Sequence, residues 1–193
     1  MLKNEIQGYA KDTLPQQKYM FNMGLADTIR ATMFGTFDAL ANNILHLPLH
    51  MPGHTSIWWM GILVVGKGLI GKFGAGIMMG TVAGIIAVFS GMGDQGVFVF
   101  LKYFIPGLLI DILAPFFRYR FDNLIIGIIC GAFLSLSKLV ASILVGLVLN
   151  VPLVFLTLGL GYVAFSHVIY GGIGGALAVV IIKRIKPRLR YWE

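Results

Sequence analysis

Three of the four histidines of this chain, His46, His50 and His54, stand four residues apart in a short stretch that reads NILHLPLHMPGHTSIWW over residues 43–59. A spacing of four would place the three imidazoles on one face of a helix, where they could ligate a metal or hydrogen-bond a solute. Pro48 and Pro52 interrupt that face, because proline removes a backbone donor and clashes with the preceding turn. A kinked lid or ligand loop is therefore expected. Trp58 and Trp59 close it with ring faces that can stack on a planar ligand, or that simply sit at a membrane–water boundary. A metal site needs several ligands converging at about 2–2.2 Å. Loop histidines separated by prolines have no fixed geometry, so His46, His50 and His54 are kept as an alternative metal set and no metal is expected.

The other chemistry-bearing residues lie in apolar surroundings. Lys102, Asp111 and Lys138 occupy long hydrophobic runs, where an ionised side chain costs roughly 2.5–3.5 kcal/mol at a helix centre and so invites a functional reading. Lys102 and Lys138 could hold a carboxylate or phosphate; alternatively Lys102 reaches the interface and Lys138 pairs with Asp38 or Asp111. Asp111 is expected to pair with Arg118 or with lysines nearby. His167, in a glycine-rich run with Ser166 and Tyr170, reads as a hydrogen-bonded packing residue or as a ligand. Catalysis has little support: no G-x-S-x-G elbow, H-E-x-x-H or phosphate-binding loop is present. Cys130 is the lone cysteine, so no disulfide framework exists.

The elements that position these residues follow from composition. Hydrophobic residues make up 58% and charged residues 12% of the chain, and the mean hydropathy is +0.85. That is more apolar surface than a soluble core of this size can hide. An all-α integral membrane protein is expected. At about 20 residues per crossing, the length allows six or seven spans and no separate catalytic domain. Residues 1–24 read as a polar cytoplasmic tail or surface helix without the apolar core of a signal peptide. Residues 25–193 form a membrane domain with six spans at 25–45, 57–70, 73–91, 97–117, 123–149 and 151–182. The first opens at an N-cap candidate, Asp27 or Thr28. The fourth is interrupted by Pro106. Gly76, Gly80 and Gly84 make a seam of small residues in the third, and Ala31 and Gly35 allow a close approach in the first.

A net charge of +7 would fit nucleic acid, but the basic residues concentrate at span ends and at the C-terminus. With six spans, the turns bearing Lys67 with Lys72 and Arg118 with Arg120, both termini and the run Lys183–Arg190 fall on one face. By the excess of Lys and Arg on cytoplasmic loops, both termini are cytoplasmic and the histidine loop faces outward. No nucleic-acid partner is implied.

Six helices with both ends inside, the small-residue segment Ala31-Thr-Met-Phe-Gly35, a polar outward loop after it, a glycine-rich third span and a basic C-terminal end resemble the substrate-binding S component of energy-coupling-factor (ECF) transporters. The resemblance rests on architecture from about Leu25 onward. It implies a multi-pass protein of a prokaryotic cell membrane that is no enzyme and carries no cofactor. Such a component takes up a vitamin-like organic micronutrient with high affinity, in partnership with a transmembrane T component and two cytoplasmic ATPases. It further implies that His46, His50, His54, Trp58 and Trp59 form or gate the site, that Lys102, Lys138, Asn150, His167 and Tyr170 supply its walls, and that Ala31 and Gly35 meet the T component. Cobalt and nickel relatives ligate their ion with an N-terminal Met-His segment, whereas this chain begins Met-Leu-Lys-Asn. A metal-specific S component is thus the alternative, followed by a membrane enzyme or a structural assembly subunit.

Overall fold

The computed structural model describes residues 23–44, 53–92, 95–152 and 159–189, all of them in helices or the turns that join helices. The helices are α1 (Leu25–Ile44), α2 (Ser56–Ile70), α3 (Ala75–Phe89), α4 (Val99–Phe116, preceded by a single 3-10 turn), α5 (Leu124–Val148) and α6 (Leu160–Leu189). Among the described residues, three stretches are long and apolar enough to cross a membrane: 96–116, 124–148 and 160–188. Helices α2 and α3 have 15 residues each, about 22 Å at 1.5 Å per residue, which is short of a hydrocarbon core about 30 Å thick. Neighbours shield α2, which touches every other helix and has most of its residues buried.

Small residues set the packing. On α3, a Cβ built on Gly80 would lie 2.6 Å from the Tyr103 carbonyl and 3.2 Å from Gly107 Cα, so the expected Gly76–Gly80–Gly84 seam is where α4 docks. That contact flanks Pro106 and holds α4 continuous through it, where an interruption was expected. On α6, Gly171 and Gly175 meet Gly131 and Gly127 of α5 backbone to backbone. Ala31 is fully buried, and a Cβ on Gly35 would meet the Met79 carbonyl at 2.6 Å. The small-residue face of α1 is thus spent on α3 of the same chain. The side of α1 left uncovered carries Ile29, Met33 and Phe37.

Two other expectations change. Helix α6 starts at Leu160, after Gly159 at φ +72°, rather than at 151. It runs on through Pro187, so Lys183, Arg184, Lys186 and Arg188 are helical. The entry to α1 lies before Asp27, whose carboxylate accepts from the Gly24 backbone N–H at 3.2 Å.

The end of the bundle carrying the α2–α3 and α4–α5 turns, called the lower end here, holds a buried ion pair. Lys67, expected in a loop, is fully buried, and its ammonium pairs with Asp111, also fully buried. Asp111 therefore takes Lys67 as partner instead of Arg118. The pair is saturated: Lys67 also donates to the Lys72 carbonyl at 2.8 Å, while Asp111 accepts from the N–H groups of Gly76 at 3.1 Å and Ile77 at 2.8 Å. Its carboxylate thereby caps the first turn of α3, where negative charge is favoured. The neighbouring Lys72–Asp27 pair, at 2.6 Å, is half exposed on the lysine side and contributes at most about 1 kcal/mol.

Candidate functional site

The opposite, upper end carries the α1–α2, α3–α4 and α5–α6 connections, and buried polar groups from five helices gather beneath them. Ser56 opens α2, Asp38 lies near the end of α1, Tyr103 in the first turns of α4, Ser135 and Lys138 near the middle of α5, and His167 two turns into α6. Asp38, Ser56, Tyr103 and Ser135 are buried and Lys138 and His167 are half-buried, so each of these polar groups must find a partner or remain costly.

His167 is the hub of one group. Ser135 Oγ lies 2.8 Å from His167 Nδ1 and donates to Ser56 Oγ at 2.9 Å; Ser56 Oγ is 3.5 Å from the same nitrogen. Because a hydroxyl has one proton, a Ser135 that donates to Ser56 calls for the Nδ1–H tautomer of His167. This chain of bonds ties α2, α5 and α6 together. Gly53, at φ +83°, brings the residues preceding α2 onto the imidazole: a Cβ there would sit 3.2 Å from His167 Cδ2. The turn after the histidine loop is therefore seated on His167. Ser135→Ala leaves the imidazole N–H and the Ser56 hydroxyl without their shared partner, with an expected loss of about 1–3 kcal/mol. Thermal unfolding of the detergent-purified variant checks this.

Lys138 is the centre of a second group. Its ammonium lies 3.7 Å from the centroid of the Trp59 ring and 5.5 Å from that of Tyr103. The two rings are 6.0 Å apart at 53°. A cation over an indole face in a desolvated place is worth about 2 kcal/mol. Asp38 and Lys102 are its charged neighbours. Asp38 is 2% exposed, and its Oδ1 has no hydrogen-bond partner among the described residues. Trp59 is buried, and its indole N–H also lacks a partner there.

The expected site residues divide accordingly. His54, Trp59, Lys102, Lys138 and His167 all lie at the upper end, with Trp59, Lys138 and His167 at the centres of the two groups. Tyr170 is half-buried one helical turn below His167. Trp58, next to the buried Trp59, is 39% exposed on the outer surface of α2 and lines nothing with it. Asn150 is exposed in the turn after α5 at φ +56°. His46 and His50 lie outside the described residues, and among the described residues no three His, Cys, Asp or Glu side chains form a metal-binding group. Ser56, Tyr103 and Ser135 were not foreseen. Serine and tyrosine in apolar runs are too common to stand out, and only the tertiary contacts reveal them.

A helical bundle with membrane-length apolar helices and a polar cluster beneath its connections defines a polytopic membrane protein with the makings of a solute site. The family model described as "ABC-type cobalt transport system, permease component" matches residues 28–137, more than half of the chain. The chain belongs to that family and is a membrane component of an ABC-type transport system. Searches of curated proteins and of solved structures find no significant match.

Proposed function

We propose that this protein is the substrate-binding S component of an ECF-type transporter and that it captures a vitamin-like organic micronutrient at the upper end of the bundle. In this reading the upper end faces outward, six crossings leave both termini in the cytoplasm, and a T component with two ATPases drives release inward. The observation that supports it best is the convergence of Trp59, Tyr103, Lys138, Asp38 and the His167 network on the end that carries the histidine loop. Aromatic faces and hydrogen-bonding groups in a desolvated cluster suit a small organic solute. Two lysines there face one aspartate, a balance that suits a solute with an anionic part better than a free dication.

Native mass spectrometry of the purified protein tests the reading. A retained organic molecule, lost in Lys138→Ala and His167→Ala, is the expected result, together with copurification of two ATPases and a second membrane protein. Retention of nothing, and copurification of no ATPase, would end the proposal. Orientation is tested separately with single-cysteine variants in a Cys130→Ser background. Asn150→Cys is expected to react with a membrane-impermeant maleimide on intact cells, and Lys72→Cys only after permeabilisation.

A cobalt-specific S component is the second reading. The family's description and the three loop histidines favour it. Under that reading, retained radioactive cobalt would be stripped by chelator and lost in His50→Ala and His54→Ala, while Lys138→Ala would leave it in place.

A further inference from the structure

The arrangement of Lys138, Trp59 and Asp38 contains a mismatch. Trp59 is buried, with the Lys138 ammonium on its ring at 3.7 Å and Tyr103 beside it. A planar ligand has no open face on Trp59 while that ammonium is in place. Asp38 Oδ1, meanwhile, is sealed from water and from any hydrogen-bond donor among the described residues. A buried carboxylate oxygen without a donor is among the costlier features a fold can keep. Lys138 is the cation that acts on this carboxyl electrostatically, and it is carried on a flexible four-carbon stem.

Resting on the S-component reading above, we propose that Lys138 is a displaceable plug. The planar ring of the incoming solute takes the place of the ammonium on Trp59, and Lys138 swings to Asp38, whose Oδ1 is buried and has no donor among the described residues. Solute binding then exchanges a cation–π contact for a ring–ring contact and forms a Lys138–Asp38 ion pair. No new unsatisfied group is made, and one is removed. The slot selects solutes with a flat ring: a saturated group of equal bulk would evict Lys138 without replacing the stacking on Trp59.

Two measurements test the plug. In ligand-free protein with Trp58→Phe and Trp192→Phe, so that Trp59 alone emits, Lys138→Gln is expected to shift the emission and Asp38→Asn to leave it unchanged. A shift caused by Asp38→Asn would show the ion pair already formed and overturn the proposal. The second measurement is equilibrium binding in nanodiscs of a panel of radiolabelled water-soluble vitamins and cobalt(II) chloride. For the panel member that wild type binds, Asp38→Asn is expected to weaken affinity on the order of thirtyfold. Asp38→Asn combined with Lys138→Gln is expected to recover most of that loss, because no charge then needs a destination. A double variant as weak as Asp38→Asn alone would make Asp38 a direct ligand contact and sink the plug, as would wild-type affinity in Asp38→Asn. If wild type binds no organic member of the panel, the uptake reading itself fails and the plug falls with it; the emission experiment keeps the two failures distinguishable.

Discussion

Asp111→Ala is expected to cost about 3–5 kcal/mol of stability, the usual penalty for breaking a buried ion pair from one side. The loss has two parts. Lys67 would keep a full charge in an interior where its only other described hydrogen-bond acceptor is the Lys72 carbonyl. The N–H groups of Gly76 and Ile77, now bonded to Asp111, would lose their acceptor in the first turn of α3. Out of a total stability of about 5–15 kcal/mol, that is a large share of the margin that keeps the protein folded. The Phe73 and Tyr119 rings near the ammonium cannot replace a carboxylate, since exchanging a salt bridge for a ring contact recovers at most about 2 kcal/mol.

The double variant Lys67→Met with Asp111→Asn separates the two parts. It removes both charges, fills the lysine's volume with an apolar chain and keeps one amide oxygen for the α3 backbone. Most of the lost stability is expected to return, because well-packed apolar substitutes for a buried pair are often neutral or better. Thermal unfolding of the three proteins, followed by the fraction remaining monodisperse in detergent, measures both. Equal loss in the single and double variants would mean that the hydrogen bonds to α3, and not the charge, hold the lower end together.

The sequence makes the helices plain and the ion pair obscure, for a physical reason. Apolar runs bounded by glycine, proline and charge have one solution in lipid, so α1 to α5 are centred where hydropathy places them, while α6 is centred later than the expected 151–182. The last boundary drifts: apolar residues follow Asn150 directly and read as the start of the final span, and the described helix α6 begins at Leu160. Lys67 misleads because it lies three residues from the end of α2, where snorkelling to water is the default for a lysine. Its burial is decided by Asp111, 44 residues away. At the upper end, Trp59, Lys138 and His167 could be singled out because such residues are rare in apolar helices. That Lys138 lies on Trp59, and that Ser56 and Ser135 share His167, depends on how α2, α5 and α6 are rotated. No periodicity of one helix contains that information. The rotation comes from the glycines, whose partners are invisible until the helices are paired.

Those glycines give the second large effect. Gly171 and Gly172 are neighbours on α6, and alanine is expected to act on them in opposite directions. A Cβ at Gly171 would stand 2.5 Å from the Gly131 carbonyl oxygen and 2.5 Å from Ser135 Cβ. Backbone cannot yield as a side-chain tip can, so Gly171→Ala must push α6 away from α5 along the seam that Gly127, Gly131 and Gly175 share. Overpacking of that kind costs about 1–3 kcal/mol, and a whole helix interface loosened with it places this variant at the upper end. At Gly172 the nearest atom to a new Cβ is Ile128 Cγ2 at 3.4 Å, an ordinary contact, and Gly172→Ala should be neutral or gain up to about 1 kcal/mol from helix propensity. The site gives the comparison a second readout. Ser135, one of the two groups that Gly171→Ala displaces, is the side chain bonded to His167, so under the proposed uptake function this variant is also expected to lose any retained solute, while Gly172→Ala keeps it. Matched unfolding midpoints for the two variants would show that the α5–α6 approach is looser than these distances require. Retention of solute by a destabilised Gly171→Ala protein would uncouple the His167 network from the binding site.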